Sequence, residues 1–371
     1  MQKIEIIYFN AGGGHKAAAM ALKGIIQEKY TDWSVILTDL SEVADSGNLF
    51  ERITGSKPED VYNKILASGF TYGLSQHLKM LQAGIKIIHP MLMDKLKNHW
   101  SVTNPDMVVS LIPNFNRALG LSLTETLPDI PFVTILTDMA DYPPHFWIEP
   151  EVDQNLICGT EKAVQQAIEA GVDINKIYPV SGMILRSSFY NRPPVDKVAE
   201  RVKLGLPATE PVGLVLFGGL GSKSMIGINK RLPNIPLILM CGKNKKLAAT
   251  LRKQKSTSPR IVVEFTDDVA KWMALADFFV GKPGPGSITE AIHMGLPVIV
   301  TKNAKTIPQE RWNTDWVREK NVGVVCKTFR TIKDATNEMI LRLPEFQANA
   351  AKINNTAIFE IPKILKSLLA P

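Results

Sequence analysis

The residues best placed to do chemistry begin with a histidine that closes a triple-glycine turn. In "IEIIYFNAGGGHKAAAMAL" an apolar run, Ile4 to Phe9, leads into Gly12, Gly13 and Gly14, and an alanine-rich helix is expected from about His15. Glycines let the backbone approach a ligand closely, and a helix start offers free N–H groups and a partial positive charge. That charge disfavours the imidazolium, so His15 is expected as a neutral ring able to accept a proton near pH 7. The alternative is a ring that only hydrogen-bonds its own loop. The spacing is not GxGxxG, and no acidic residue is clearly placed about twenty positions on, which leaves little support for dinucleotide binding.

Two further glycine turns follow strands. "LFGGLGSKSM" sets Gly218, Gly219 and Gly221 after the run Val212 to Phe217. "GKPGPGSITEAIHMGLPVIV" sets Gly284 and Gly286 ahead of Ser287 and Glu290. Ser287 and Glu290 have the spacing of a capping box, in which the glutamate only closes its own helix. In the functional alternative the helix start holds a phosphate and Glu290 accepts hydrogen bonds from two adjacent hydroxyls, as a ribose presents them.

The elements that must carry these turns are short Val- and Ile-rich runs alternating with amphipathic stretches: "KIEIIYF", "SVILTDL", "DMVVSLI", "PFVTILTD", "QNLICG", "PVGLVLFGG", "PLILMCG", "IVVEF", "DFFVGK" and "PVIVT". Continuous apolar runs separated by helices are what a parallel sheet covered on both faces requires. The expected fold is α/β, two Rossmann-like doubly wound domains facing a cleft, with ligands at the carboxyl ends of the strands. The break falls near Tyr178 to Lys197, where "NRPP" reads as an exposed linker. This gives domains 1–182 and 183–345, and a C-terminal helical piece, 346–371, that packs on one of them.

The chain's 371 residues suit two domains, and 45% hydrophobic with 21% charged residues is a globular composition without an apolar run of membrane-spanning length. Cys158, Cys241 and Cys326 are far apart, with neither zinc spacing nor a disulfide framework. The start "MQKIEIIYFNAGGGH" enters a strand directly and has no signal-peptide pattern, so a cytoplasmic, bacterial protein is expected. The net charge of +7 fits anionic lipid or a phosphorylated ligand. Nucleic acid ranks last, because no aromatic-plus-basic RNA-binding signature or zinc-finger spacing is present.

"DDVAKWMALADFFVGKPGPGSITEAIHMGLPVIV" followed by "PQERWNTDWV" resembles the donor-site region of the monogalactosyldiacylglycerol synthases and processive diacylglycerol glucosyltransferases, and "AGGGHKAAAMAL" is similar to their acceptor loop. The lipid-linked N-acetylglucosamine transferase of peptidoglycan synthesis is a more distant relative. The resemblance implies a glycosyltransferase-B fold and transfer of a hexose, from UDP-galactose or UDP-glucose, to the hydroxyl of diacylglycerol with inversion. It makes 1–182 the acceptor domain and 183–345 the UDP-sugar domain. His15 matches the candidate base, with Gly13 and Gly14 beside it. Glu290 would bind the uridine ribose, and Gly286 and Ser287, after Gly284, would lie near the diphosphate, flanked by Gly218, Gly219 and Gly221. Phe265 and Thr266 would line the uracil pocket. Gln309 and Glu310 would reach the sugar hydroxyls, supported by Asn313. No cofactor is implied, since the UDP-sugar is a substrate. No DxD-type metal site is evident, so helix starts would carry the leaving-group charge. Asp138, at the end of "PFVTILTD", is a second candidate for the base or for orienting it, against an aspartate that ends a strand. The alternatives are an N-acetylglucosamine transfer to another lipid carrier and a UDP-sugar epimerase of the same fold.

Asn10 and Ala11 stand where the plant enzymes have Asp-Thr, and Ile112 stands where a histidine is usual, so the acceptor side departs from the pattern. A lipid acceptor also calls for membrane contact. Ser75 to Trp100 places Leu78, Leu81, Ile85 and Ile88 at helical spacing, with Lys79, Lys86, Lys95 and Lys97 nearby. This is either an interfacial helix drawn to anionic lipid at the inner face of the cell membrane or a helix packed on its own sheet.

Overall fold

The computed structural model describes residues 1–10, 14–44, 74–191, 195–304 and 306–369, with 74–88 by backbone alone. Two compact units emerge: Met1–Arg186 with Ile307–Gln309 and Asn355–Pro371, and Ser187–Thr306 with Glu310–Asn354. The division therefore falls four residues beyond the expected 182/183. Of the expected C-terminal piece 346–371, only Asn355 onwards belongs to the first unit.

The first unit is built on β1 (Gln2–Tyr8), β2 (Trp33–Asp39), β3 (Met107–Ser110), β4 (Phe132–Ile135), β5 (Asn155–Cys158) and β6 (Ile177–Pro179), all parallel, in the order β2-β1-β3-β4-β5-β6. The order reverses between β1 and β3, and such a switch point opens a crevice at the carboxyl ends of those strands. Ile4, Ile6 and Ile7 of β1 are buried, as a strand covered on both faces requires. The helix Leu74–Thr103 covers one face through Leu92, Leu96 and Trp100, which join Ile7, Val108 and Ile112 in one core. The helix Ala357–Leu369 buries Ile358, Ile361 and Leu365 and lies against the helix Gly14–Lys29, with Lys29 Nζ 4.5 Å from the Phe359 ring centroid. Asn355 anchors its entry, donating from Nδ2 to the Met183 carbonyl at 2.9 Å.

The second unit holds β7 (Gly213–Leu216), β8 (Leu237–Met240), β9 (Arg260–Val263), β10 (Phe278–Gly281), β11 (Val298–Thr301) and β12 (Gly323–Cys326), again parallel, in the order β12-β11-β10-β7-β8-β9. Its switch point lies between β7 and β10. In register, Gly281 pairs with Leu216, Leu216 with Met240 and Met240 with Val263, so the loops after four strands leave the sheet at one level. Each of the ten apolar runs holds a strand, and β6 and β12 are added to them. β6 overlaps the start of the stretch Tyr178 to Lys197 where the domain break is expected, and Met183, Leu185 and Phe189, ahead of "NRPP", are buried. That stretch is therefore packed for much of its length. Among the described residues no helix is long and apolar enough to cross a membrane.

Candidate active site

In the first unit the helix Gly14–Lys29 begins at the switch point, one residue before His15. His15 Nδ1 lies 2.7 Å from the carbonyl oxygen of Leu111, the first residue after β3. A carbonyl only accepts, so Nδ1 carries the proton and Nε2 keeps its lone pair. The Thr137 hydroxyl oxygen is 3.2 Å from the same Nδ1, and the Trp147 ring stands 6.0 Å away, centroid to centroid. Although part of the ring stays accessible, the protein packed around it strips solvation from the charged form and lowers the imidazolium pKa to about 4, against a smaller opposing effect of the Leu111 carbonyl. The ring is neutral at pH 7, chiefly through desolvation, whereas the sequence argument relied on the helix dipole.

The loop after β4 supports this arrangement. Asp138 lies three residues beyond the strand end at Ile135 and is buried, accepting from Trp147 Nε1 at 3.0 Å. Asp141 accepts from the backbone N–H groups of Trp147 at 2.6 Å and His145 at 2.9 Å, and burial raises its pKa despite those bonds. Asn116 ties this loop to β3, accepting from Ser110 Oγ at 2.6 Å and donating to the Trp147 carbonyl at 2.9 Å. Asn114 and His145 both have positive φ, and Asn114 N donates to the Phe146 carbonyl at 2.6 Å across this junction. Ile112 is fully buried in the apolar core.

In the second unit the sequence-predicted residues gather at the carboxyl edge of one sheet. After β7, Gly218 and Gly221 have positive φ (73° and 62°), and a Cβ on Gly221 would lie 2.8 Å from the Cys241 carbonyl oxygen. Gly219 has open space at its Cβ position, and its carbonyl accepts from Lys243 N at 2.8 Å. After β9, Phe265 is exposed, with Lys243 Nζ 5.2 Å from its ring centroid. Thr266 Oγ1 accepts from Asp268 N at 3.1 Å, which fixes the start of the next helix.

After β10 the helix Pro285–His293 starts earlier than the capping-box reading requires. Gly284 is its cap and Pro285 its first residue, where a missing N–H costs nothing. Ser287 therefore sits within the first turn, and Glu290 is no reciprocal capping partner. Ile288 N bonds the Gly284 carbonyl at 3.1 Å, leaving the Gly286 and Ser287 N–H groups outside the helical ladder. Gly286 is exposed and has nothing within 4 Å of its Cβ position. Two N–H groups and the positive end of a nine-residue helix thus face open space at the switch point.

The helix Pro308–Glu319 carries Gln309, which the division assigns to the first unit, and Glu310 and Asn313 of the second; all three are buried. Glu310 pairs with Lys282 at 2.7 Å, and Asn313 Nδ2 donates to the Pro283 carbonyl at 2.8 Å, so both hold the "KPGPG" turn. Gln309 Oε1 and Asn313 Oδ1 are buried without a hydrogen-bond partner. Two orphaned acceptors four residues apart on one helix are costly unless a ligand supplies donors.

Of the sequence candidates, Gly13 lies outside the described residues, as does Ala11. Gly14 and His15 meet at one switch point. Asp138 neighbours Thr137, which touches His15, and engages Trp147. The Leu111 carbonyl, Thr137, Trp147 and Asp141 escaped the sequence reading because a backbone carbonyl and a loop brace carry no motif. Lys282 also escaped it, although a lysine directly ahead of a Pro-Gly turn at a strand end was a usable signal.

Two doubly wound parallel units, each with its switch point, have the architecture of the GT-B fold. The monogalactosyldiacylglycerol synthase family model matches residues 15–183, and the glycosyltransferase family 28 C-terminal domain matches residues 223–357. The chain is thus similar to the monogalactosyldiacylglycerol synthases over its first unit and to family 28 glycosyltransferases over its second. It is 26% identical over 399 residues to the probable monogalactosyldiacylglycerol synthase 2 of Oryza sativa subsp. indica, covering 99% of this chain and 81% of the rice protein. In fold it is similar to Acinetobacter baumannii MurG, with a TM-score of 0.62 at 13% identity, over 99% of this chain and 100% of that one. Anabaena HepE solved in complex with UDP gives a TM-score of 0.53 at 16% identity, over 99% and 100% of the two chains. The rice relative is a chloroplast protein, so a bacterial source finds no support here.

Proposed function

We propose that this hexosyltransferase moves galactose or glucose from a UDP-sugar to the hydroxyl of diacylglycerol, at a membrane surface, with inversion. The observation that carries the mechanism is the His15 to Leu111 hydrogen bond, which holds the proton on Nδ1 and leaves the Nε2 lone pair free to accept one. Nε2 takes the proton of the acceptor hydroxyl as its oxygen attacks the anomeric carbon from the face opposite UDP. The bond from that carbon to the diphosphate breaks, and its electron pair leaves on the β-phosphate oxygen. The Gly286 and Ser287 N–H groups, the helix start and Lys282 supply positive potential for that charge.

Glu290 takes the ribose hydroxyls, Phe265 and Thr266 the uracil, and Gly218, Gly219 and Gly221 let the backbone approach the phosphates. Gln309 and Asn313 accept from sugar hydroxyls, which would satisfy their orphaned oxygens. Glu310, already bound to Lys282, orders that turn. Asp138 holds Trp147 against the base rather than taking the proton itself. The family assignment and the name of the rice relative support diacylglycerol as the acceptor.

The test is release of UDP from UDP-galactose, UDP-glucose and UDP-N-acetylglucosamine, with and without diacylglycerol in neutral mixed micelles. Release that needs diacylglycerol and one hexose donor supports the assignment. UDP binding with no turnover on diacylglycerol overturns the acceptor, and turnover without lipid overturns the reaction class.

A further inference from the structure

Between Pro211 and Val263 the chain carries ten lysines and arginines and no aspartate or glutamate, although its overall balance is only +7. The rest of the protein is therefore slightly acidic, and the basic character noted for the whole chain belongs to one segment. That segment folds as β7, β8 and β9 with the helices Ser224–Arg231 and Lys245–Lys253 between them. The three strands are adjacent and in sequence order, so both right-handed crossovers lie on the same face of the sheet.

Each helix buries one side, through Met225 and Ile228 or through Leu247, Ala248 and Leu251, and turns the other to solvent. The two are fastened together: Asn229 Nδ2 donates to Gln254 Oε1 at 2.7 Å, and Arg260 Nε donates to Asn229 Oδ1 at 2.5 Å. Their outer sides thus form one surface carrying Lys230, Arg231, Lys246, Lys253 and Lys255, all exposed. A hollow of about 390 Å³ lies beside it at the open edge strand β9, lined by Leu204, Leu251, Arg252, Arg260 and Val262 among others. Arg252 is paired with Glu264 at 2.7 Å, whereas Lys230, Lys246, Lys253 and Lys255 form no ion pair among the described residues.

Helix dipoles account for part of this charge, since Lys230, Arg231, Arg252 and Lys253 fall in last turns. They do not account for Lys245 and Lys246, which stand in a first turn where the dipole opposes them, nor for Lys255 in a loop. An uncompensated field of one sign repels itself and attracts an anionic partner. No Phe, Tyr or Trp lies between Gly218 and Glu264, so the surface has no stacking platform for single-stranded nucleic acid. Seven of the ten cations are lysines, the compact charges that anionic lipid headgroups recruit.

We propose that this face of the second unit docks on an anionic lipid bilayer, through lysines outside the donor site. The choice of a bilayer rests on the lipid acceptor proposed above; the charged surface itself does not. Each lysine near such a membrane strengthens partition roughly fivefold. The experiment is flotation of the full chain with phosphatidylcholine vesicles, with and without phosphatidylglycerol, in the absence of donor and diacylglycerol. The variant combines Lys230→Gln, Lys246→Gln, Lys253→Gln and Lys255→Gln, none of which touches the candidate active site. The expected result is phosphatidylglycerol-dependent binding of the parent chain and a loss on the order of a hundredfold or more in the variant, with UDP release in neutral micelles unchanged. Equal binding by variant and parent, or no preference of the parent for anionic vesicles, overturns the proposal. So does a parent chain that ignores the vesicles but binds an RNA oligomer. Because binding is read without turnover, failure of the acceptor assignment leaves this result interpretable.

Discussion

His15 Nδ1 and the Leu111 carbonyl oxygen, separated by 96 residues in sequence, lie 2.7 Å apart across the switch point of the first sheet. The loops after β1 and β3 meet there because the strand order reverses between them. A backbone carbonyl orients the ring as a carboxylate does in a hydrolase triad, but without adding a charge that would raise the ring's pKa.

Replacing His15 with alanine is expected to leave UDP affinity within about twofold and to lower kcat by roughly 10²–10⁴, the usual contribution of a positioned base. Calorimetry with UDP and a UDP-release assay separate the two effects. Full turnover in this variant would remove His15 from the mechanism.

The low pKa of His15 also sets a pH response. A ring that titrates near 4 stays neutral down to well below pH 6, so kcat/KM should hold level from pH 8 to pH 6. A base with an ordinary pKa of about 6.5 would already be half lost at that value. In the unfolded chain the ring protonates at its ordinary pKa. Its effect on stability is therefore nil above about pH 6.5 and increasingly unfavourable as pH falls towards 4.

Gly286 and Gly242 test whether the glycine turns serve the ligand or the fold. A Cβ on Gly286 meets nothing within 4 Å, so Gly286→Val should leave the melting temperature near that of the parent while weakening UDP binding at least tenfold. A Cβ on Gly242, at φ 57°, would stand 2.2 Å from the Gly219 carbonyl oxygen. Gly242→Ala should therefore cost roughly 1–3 kcal/mol of stability by thermal unfolding. If Gly286→Val binds UDP normally, the helix start is not the phosphate site.

Lys282 and Glu310 form a pair at 2.7 Å in which the carboxylate is buried and the ammonium is half exposed. Lys282→Met should raise the donor KM and lower kcat/KM by about ten- to a hundredfold, on the scale of 1–3 kcal/mol for a charge-assisted contact. The double variant with Glu310→Gln should recover stability, because the orphaned carboxylate is gone, and should not recover turnover. Recovery of both would make the pair a structural brace alone.

Gln309 Oε1 is a buried acceptor with no partner. Gln309→Met should leave stability unchanged or raise it by up to about 1 kcal/mol, since an unsatisfied polar atom is removed. It should at the same time raise the hexose-donor KM relative to the UDP inhibition constant. Equal shifts in both constants would place Gln309 outside the sugar site.

Glu5 and His99 bear on pH-dependent stability. Glu5 is fully buried on β1 and accepts from His99 Nε2 and Thr38 Oγ1, each at 2.5 Å. Burial would raise its pKa, but the His99 and Thr38 bonds outweigh that and hold it below the usual carboxylate value. A depressed carboxylate stabilises the fold above its unfolded pKa, so this contribution is present above about pH 4.5 and lost as pH falls further. His99→Ala, which strands the buried charge, should cost roughly 3 kcal/mol at pH 7. Urea titrations at pH 7 and pH 4 should show that penalty shrinking at the lower pH.

The apolar runs were sufficient to read two parallel sheets, because a strand covered on both faces must be hydrophobic at every position. Leu237 to Met240 show this directly, and so do Ile4, Ile6 and Ile7, with the hydrogen-bonded Glu5 as the buried exception among them. The glycine turns were legible for a related reason, since glycine adopts the positive φ of residues 218 and 221 without steric cost. Resemblance added the likeness to the monogalactosyldiacylglycerol synthases, and with it the candidate donor residues. Sequence did not disclose β6, whose three residues are too few to show a period, or the true start of the helix at Pro285, which a plausible Ser-Glu spacing concealed. Nor could it show that His15 is oriented by a main-chain oxygen, that Glu310 is held by Lys282, or that Lys230, Arg231, Lys246, Lys253 and Lys255 share one surface. Those depend on which strands are neighbours, and strand order is set by the packing of crossovers over the whole sheet. The chain's local pattern determined the elements and their glycine turns; the order in which parallel strands pair decided which of those turns became a site.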